Sequence, residues 1–223
     1  MLKRMLMVVA VAGMVGASAR AADEKGGAGL VVDKEKRTVT IPAKVAPRKV
    51  NDPRYTEVYP IEVIATAPFP RGQKAHETVV TVDVKPSDVH RALESLGLSP
   101  GKPAVGEEAE AQGPELRISV LLPGGRSVPI ERTLIDKKTG RGMPPLKWRF
   151  TGSAMKQPDP NKPAQVYGAD LAMNLITIFP VMADVVIQSA LTMKDAGLIK
   201  METNKSVLPA EGTEVKLVIA PAR

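Results

Sequence analysis

Only one segment of this 223-residue chain carries a sustained helical period. From Ser87 to Gly97, the residues Val89, Ala92, Leu93 and Leu96 recur at i, i+3, i+4 and i+7 and form a single apolar stripe. Ser87, after Pro86, is placed as an N-cap, and Asp88 suits the positive end of the helix dipole. Gly97 is placed to end the helix in the left-handed conformation. The other apolar runs are mostly short and bordered by Pro, Gly or polar clusters, so most of the core has to be built from strands.

The strands can be read from composition and alternation. Leu30–Ile41 predicts a hairpin, with Asp33–Lys36 as its polar turn. Tyr59–Ala67 predicts a strand closed by Pro68 and Pro70, and Thr78–Val84 is strongly β-branched. Glu115–Ile135 predicts a second hairpin around Pro123–Arg126. A Pro/Gly-rich zone, 140–163, contains a short strand at Leu146–Thr151; Leu171–Phe179 and Glu214–Ala220 complete the set. Many strands with one clear helix predict an α+β fold: a mainly antiparallel β-sheet with at least one packed amphipathic helix, 87–97. The apolar stretch Leu171–Met193 is interrupted by Asn174, Pro180, Asp184 and Gln188, which argues against a membrane span.

The first 21 residues have the pattern of a signal peptide. Lys3 and Arg4 precede an apolar run, Met5–Val15, and small residues at Ala17–Ala19 and Ala19–Ala21 suit cleavage. The run is shorter than the roughly 20 residues that span a bilayer. The expected organisation is therefore a signal peptide (1–21), a flexible leader (22–29) and a single domain (30–223), exported to the periplasm or the extracellular space. No stable transmembrane helix is expected after cleavage.

Composition narrows the function. The chain has no Cys, so disulfides, thiolate metal sites, a Cys nucleophile and a lipid-modified Cys are all absent. The net charge of +7 falls by three, to +4, once a leader carrying Lys3, Arg4 and Arg20 is removed. The remaining basic residues are scattered, and with only 3% aromatics neither a nucleic-acid footprint nor a base-stacking platform is present.

The sequence has one cluster with flexible chemistry. Both histidines fall between Lys74 and Gly101, and His76, Glu77 and His90 together offer imidazole and carboxylate ligands for a divalent metal such as Zn. Glu77 could instead serve as a general base beside a bound metal. No HExxH spacing exists, because Val80 stands where the second His would fall. The plainer reading makes His90 a helix-flank residue and His76 a strand-end residue bonded to backbone. Ser153–Lys156 matches SxxK and Lys138–Gly140 matches KTG, but in reversed order and without a Ser-Asp-Asn partner. No phosphate-binding Gly loop occurs, and Glu107, Glu108 and Glu110 belong to a solvated loop. Trp148 and Phe150 alternate with Lys147 and Arg149, as expected of a strand with one buried face.

Several segments, in order, resemble the YdjY domain family of exported bacterial proteins. They are VVDKEKRTVTIPAKV (Val31–Val45), KAHETVV (Lys74–Val80), VHRALESLGLSPG (Val89–Gly101), WRFTGS (Trp148–Ser153), YGADLAMNLITIFP (Tyr167–Pro180) and LPAEGTEVKLVIAP (Leu208–Pro221). The resemblance implies export and a domain running over most of the chain; the family is functionally uncharacterised, so no catalytic residue is carried over. Some relatives are described as ferredoxin-like, but this chain has no Cys thiolates to hold an iron–sulfur cluster. The expectation is a non-enzymatic binding or structural module of the bacterial envelope, without a cofactor, whose partner is an envelope component or a small ligand. The alternative is a metal-binding protein or metal-dependent hydrolase using His76, Glu77 and His90.

Overall fold

The computed structural model describes residues 24–25, 29–107 and 109–222. The expected signal peptide, 1–21, lies outside them. Fifteen strands are formed among the described residues. In chain order they are β1 (Glu24–Lys25), β2 (Val31–Asp33), β3 (Thr38–Val45), β4 (Val63–Thr66), β5 (Thr78–Val82), β6 (Glu115–Leu121), β7 (Ser127–Pro129) and β8 (Leu134–Asp136). They continue with β9 (Trp148–Phe150), β10 (Met155–Lys156), β11 (Val166–Tyr167), β12 (Asn174–Thr177), β13 (Ile187–Ser189), β14 (Met201–Thr203) and β15 (Glu214–Pro221). Three short α-helices accompany them: α1 (Pro86–Ser95), α2 (Gly168–Ala172) and α3 (Met193–Leu198).

Eight of these strands close into a barrel, in the order β3-β15-β6-β9-β13-β12-β4-β5. The ring closes because β5 pairs back onto β3, with Ala43 opposite Val82 and Val45 opposite Val80. This overturns the expected α+β architecture of a mainly antiparallel sheet with a packed amphipathic helix over 87–97. The apolar face of the sheet is buried in the barrel's own interior, not beneath a helical layer. Alternation with period two reads the same in an open and a closed sheet, so the sequence pattern could not separate them. Closure also pairs the two edges that an open sheet would leave exposed. Two neighbouring pairs in the ring, β4–β5 and β12–β13, are parallel.

The interior follows from that alternation. Val39, Ile41, Ala43 and Val45 of β3 face inward with Val215, Leu217 and Ile219 of β15 and Leu116, Ile118 and Val120 of β6. Trp148 and Phe150 of β9 are also buried, while Arg149 between them is not. The strands β4 and β12 are buried on both faces. The adjoining β13 is buried likewise, under loops: its Gln188 donates to the carbonyls of Ala104 and Met182 and accepts from the Ala104 amide. Close approach is explicit at Gly113, where a Cβ would meet the Phe150 carbonyl oxygen at 2.0 Å and φ is +135°.

The helix α1 begins at Pro86 with Lys85 as N-cap, two residues before the cap that the sequence suggests. Ser87 does not cap it. Its amide and hydroxyl both donate to Asp170 of α2, at 2.8 and 2.6 Å. At the other end, Arg37 in the β2–β3 turn donates to the Leu96 carbonyl. The apolar stripe Val89, Ala92 and Leu93 is buried, so α1 is pinned over the end of the barrel where β3 begins. Gly97 takes φ +82°, as its position after the helix requires.

Candidate functional site

The two histidines sit in different surroundings with no partner in common. His76 belongs to a short 3-10 turn, Ala75–Glu77, that leads into β5, and both His76 and Glu77 are buried. The Nε2 of His76 lies 2.7 Å from Glu77 Oε1, an ion-pair contact when the ring is protonated. Tyr55 stacks on the imidazole at 3.9 Å and 23°, and Tyr59 meets it edge-on at 5.2 Å. Both tyrosines lie on the connection between β3 and β4. Arg48 ties that connection down: its guanidinium donates to the carbonyls of His76 and Tyr59 and to both carboxylate oxygens of Glu202 on β14.

Charge within the cluster is arranged around Lys74. Its ammonium lies 3.0 Å from Glu77 and 3.4 Å from Glu62. Burial pushes Lys74 down, but Glu77 and Glu62 outweigh it and hold the ammonium above its ordinary pKa. Burial pushes the Glu62 carboxyl up, and its hydrogen bond and repulsion with Glu77 add to this against the pull of Lys74. Burial also holds the His76 imidazole below its ordinary value, helped by Lys74 and Arg48 and opposed by Glu62. The neutral imidazole and the carboxylate pair are therefore compensated by protein groups. Lys74 is the cation that pairs with both Glu62 and Glu77.

His90 lies elsewhere, on α1. Its Nδ1 is 2.7 Å from the hydroxyl of Tyr167, its Nε2 is 3.4 Å from Glu94, and its ring meets Phe150 edge-on at 5.0 Å. The Tyr167 hydroxyl oxygen also accepts from the Ser153 amide. Burial raises the pKa of that hydroxyl, with Asp170 and Glu94 adding to it against the Ser153 hydrogen bond. Three of the segments quoted for the family resemblance, those containing His90, Phe150 and Tyr167, thus converge at one corner. Among the described residues, no group of three or more His, Cys, Asp and Glu is placed to hold a metal ion. The Ser153 hydroxyl accepts from the Ala169 amide and donates to the Ala183 carbonyl, bracing the start of α2.

The Glu62 arrangement gives a pH-dependent expectation. A carboxyl whose pKa is raised by folding stabilises the fold below its unfolded value, and that contribution is lost as pH rises through the folded value. His76, whose pKa is lowered, has the opposite sign: its contribution is present above its unfolded value near 6.5 and lost as pH falls through the folded one. Glu62→Gln keeps the neutral form at every pH. It is expected to raise Tm by about 1–3 °C at pH 8, an allowance already reduced for solvent screening of a part-exposed group. At pH 4 the two proteins should melt together. Melting followed by circular dichroism at both pH values reads the difference; an equal shift at the two would remove the carboxyl pair as its cause.

A concave surface among the described residues lies away from both histidines. A groove of about 680 Å³ runs over the outer wall of the barrel, across β5, β3, β15 and β6. It is lined by outward-pointing residues of these strands, among them Pro42, Leu121 and Lys216, with Pro68 and Pro123 from the connecting loops. Sequence reasoning missed it. The available signal was apolar residues at strand positions where alternation calls for polar ones, Pro42 between Ile41 and Ala43 and Leu121 between Val120 and Leu122. Nothing local says that these positions meet, because β3, β6 and β15 come together only in the folded sheet.

Fold and surface together define a closed β-barrel domain with a helix across one end and an apolar groove on its wall. Over residues 30–220 the chain matches the YdjY domain, and it belongs to that family. No curated protein matches it, and no solved structure does. Among the described residues, no helix is long and apolar enough to cross a membrane.

Proposed function

We propose that this protein is an exported, non-enzymatic module of the bacterial envelope that works by binding, with the barrel-wall groove as its working face. The observation that carries this is the groove itself. Its volume falls in the range of small-ligand sites, and its lining is mostly apolar with a few charged side chains at defined places. The arrangement of the polar clusters supports a binding role over a chemical one: His76 is packed against Tyr55 and Glu77, and His90 and Ser153 bond to neighbouring protein groups. Export rests on the basic and apolar pattern of residues 1–21.

A fragment screen followed by amide NMR shifts tests the binding face. Hits are expected to move the amides of Thr81, Leu121 and Lys216; hits that gather instead around His76 or His90 would overturn the assignment. Export is checked by sequencing the N-terminus of protein made in bacterial cells. A start at Arg20 or Ala22 is expected, and an intact Met1 would refute it.

A further inference from the structure

We propose that the groove takes an apolar molecule carrying one negative charge, in the manner of a free medium-chain carboxylic acid, and that Lys216 is the anion contact. This rests on the reading of the groove as the binding face.

The argument is one of position and charge. In the sheet register Lys216 stands opposite Pro42 on one side and Leu121 on the other. Cross-strand neighbours on one face have side chains about 5 Å apart, so the ammonium rises from the groove floor between two apolar flanks. Lys216 and Pro42 are both exposed, so the ammonium is open to a ligand entering from solvent. The other charges of the groove are matched. Asp83 is held by Arg71 at 2.6 Å, and Glu214 faces Lys44 at 3.9 Å. Lys216 makes no ion pair among the described residues. Of the four charged side chains that line the groove, Lys216 is therefore the one without an ion-pair partner among the described residues. A hydrocarbon chain would cover Pro42 and Leu121, and a single carboxylate would answer Lys216. A concave site of this volume suits a free amphiphile better than the flat face of a bilayer.

Titration calorimetry of the purified full chain with decanoate, decan-1-ol and decyltrimethylammonium, each below its aggregation limit, tests this. Decanoate is expected to bind best, and Lys216→Gln to weaken it about tenfold while leaving decan-1-ol unchanged. Raising the salt concentration should weaken decanoate alone. Leu121→Glu should abolish binding of decanoate and decan-1-ol; Pro123→Asp, at an exposed turn position, serves the same purpose if Leu121→Glu does not fold. Equal affinities for decanoate and decan-1-ol, with no effect of Lys216→Gln, would overturn the anion assignment and leave the groove as a binding face. Failure of all three probes to bind or to shift groove amides would overturn the amphiphile proposal. The fragment screen then decides the wider reading separately. Decanoate binding that survives both groove variants, or retention on anionic vesicles without binding of free decanoate, would also refute the proposal.

Discussion

Arg48→Met is expected to destabilise the fold by about 3–5 kcal/mol, the cost typical of removing one partner from a buried ion pair. Arg48 is only 7% exposed, and its guanidinium joins three parts of the chain: the connection that carries Tyr59, the turn that carries His76 and the strand β14 that carries Glu202. Burial pushes the Glu202 carboxyl up, but hydrogen bonds from Arg48 and from the Thr203 amide and hydroxyl outweigh it and keep the pKa below its ordinary value. Without Arg48, Glu202 loses its counter-charge, and two backbone carbonyls lose a donor. Methionine replaces the apolar stem, so the loss reads the charge and the hydrogen bonds and not a cavity. Adding Glu202→Gln should recover part of the stability, since no carboxylate is then left unpaired. Urea unfolding measures both, and a loss below about 1 kcal/mol for Arg48→Met would show that the guanidinium is not the tie described here.

Trp148→Ala should cost about 3–5 kcal/mol, at the upper end of that range. Trp148 is 1% exposed at the start of β9, where it stands opposite Leu116 of β6 and Ser189 of β13. Its indole N–H donates to Glu131 Oε1 at 2.7 Å, and Glu131 is itself only 8% exposed. Truncation therefore opens a cavity and also removes a hydrogen bond from a buried carboxylate, which retains the Leu146 amide at 3.3 Å. Trp148→Phe keeps most of the volume and isolates the polar part, for which a loss of about 1–3 kcal/mol is expected. Trp148 is the only tryptophan in the chain, so its fluorescence reports on the barrel core in every other variant. Circular dichroism must follow unfolding in these two. A loss under about 1 kcal/mol for Trp148→Ala would mean that the barrel collapses around the gap, against the packing described.

Period and chemistry along the chain make local elements legible; contacts between distant segments are not. Trp148 and Phe150 are buried as their alternation with Lys147 and Arg149 requires. The segment 171–179 illustrates the limit: its apolar run reads as one strand, but α2 ends at Ala172, Met173 adopts φ +53°, and only Asn174–Thr177 is extended. The second hairpin is similarly cut short. After β7 the chain makes a turn of 3-10 helix at Ile130–Thr133, and β8 leaves to pair with β14. The helix α3 escapes a reading by apolar period although its start is written locally, as Thr192 and Asp195 form a reciprocal capping box. Ser87 shows the reverse case: a sound N-cap candidate whose real partner, Asp170, lies far along the chain.

The candidate site divides along the same line. The pairing of His76 with Glu77 follows from adjacency, while Tyr55, Tyr59, Arg48 and Glu62 reach it through the fold. His90 is near His76 in sequence but sits on α1 at the barrel end, bonded to Tyr167. Short separation along a strand–helix unit does not imply meeting in space, because the strand and the helix run on to different parts of the barrel.

The place of β15 in the ring has a consequence for how the protein comes into being. The strand Glu214–Pro221 stands between β3 and β6, and bridges an early segment of the domain to a middle one. Until those last residues are available, the ring has a gap one strand wide, and both β3 and β6 lack a neighbour. Pairing across such separation makes closure slow and late. A chain made from its N-terminus onward would keep the ring open until β15 had been made.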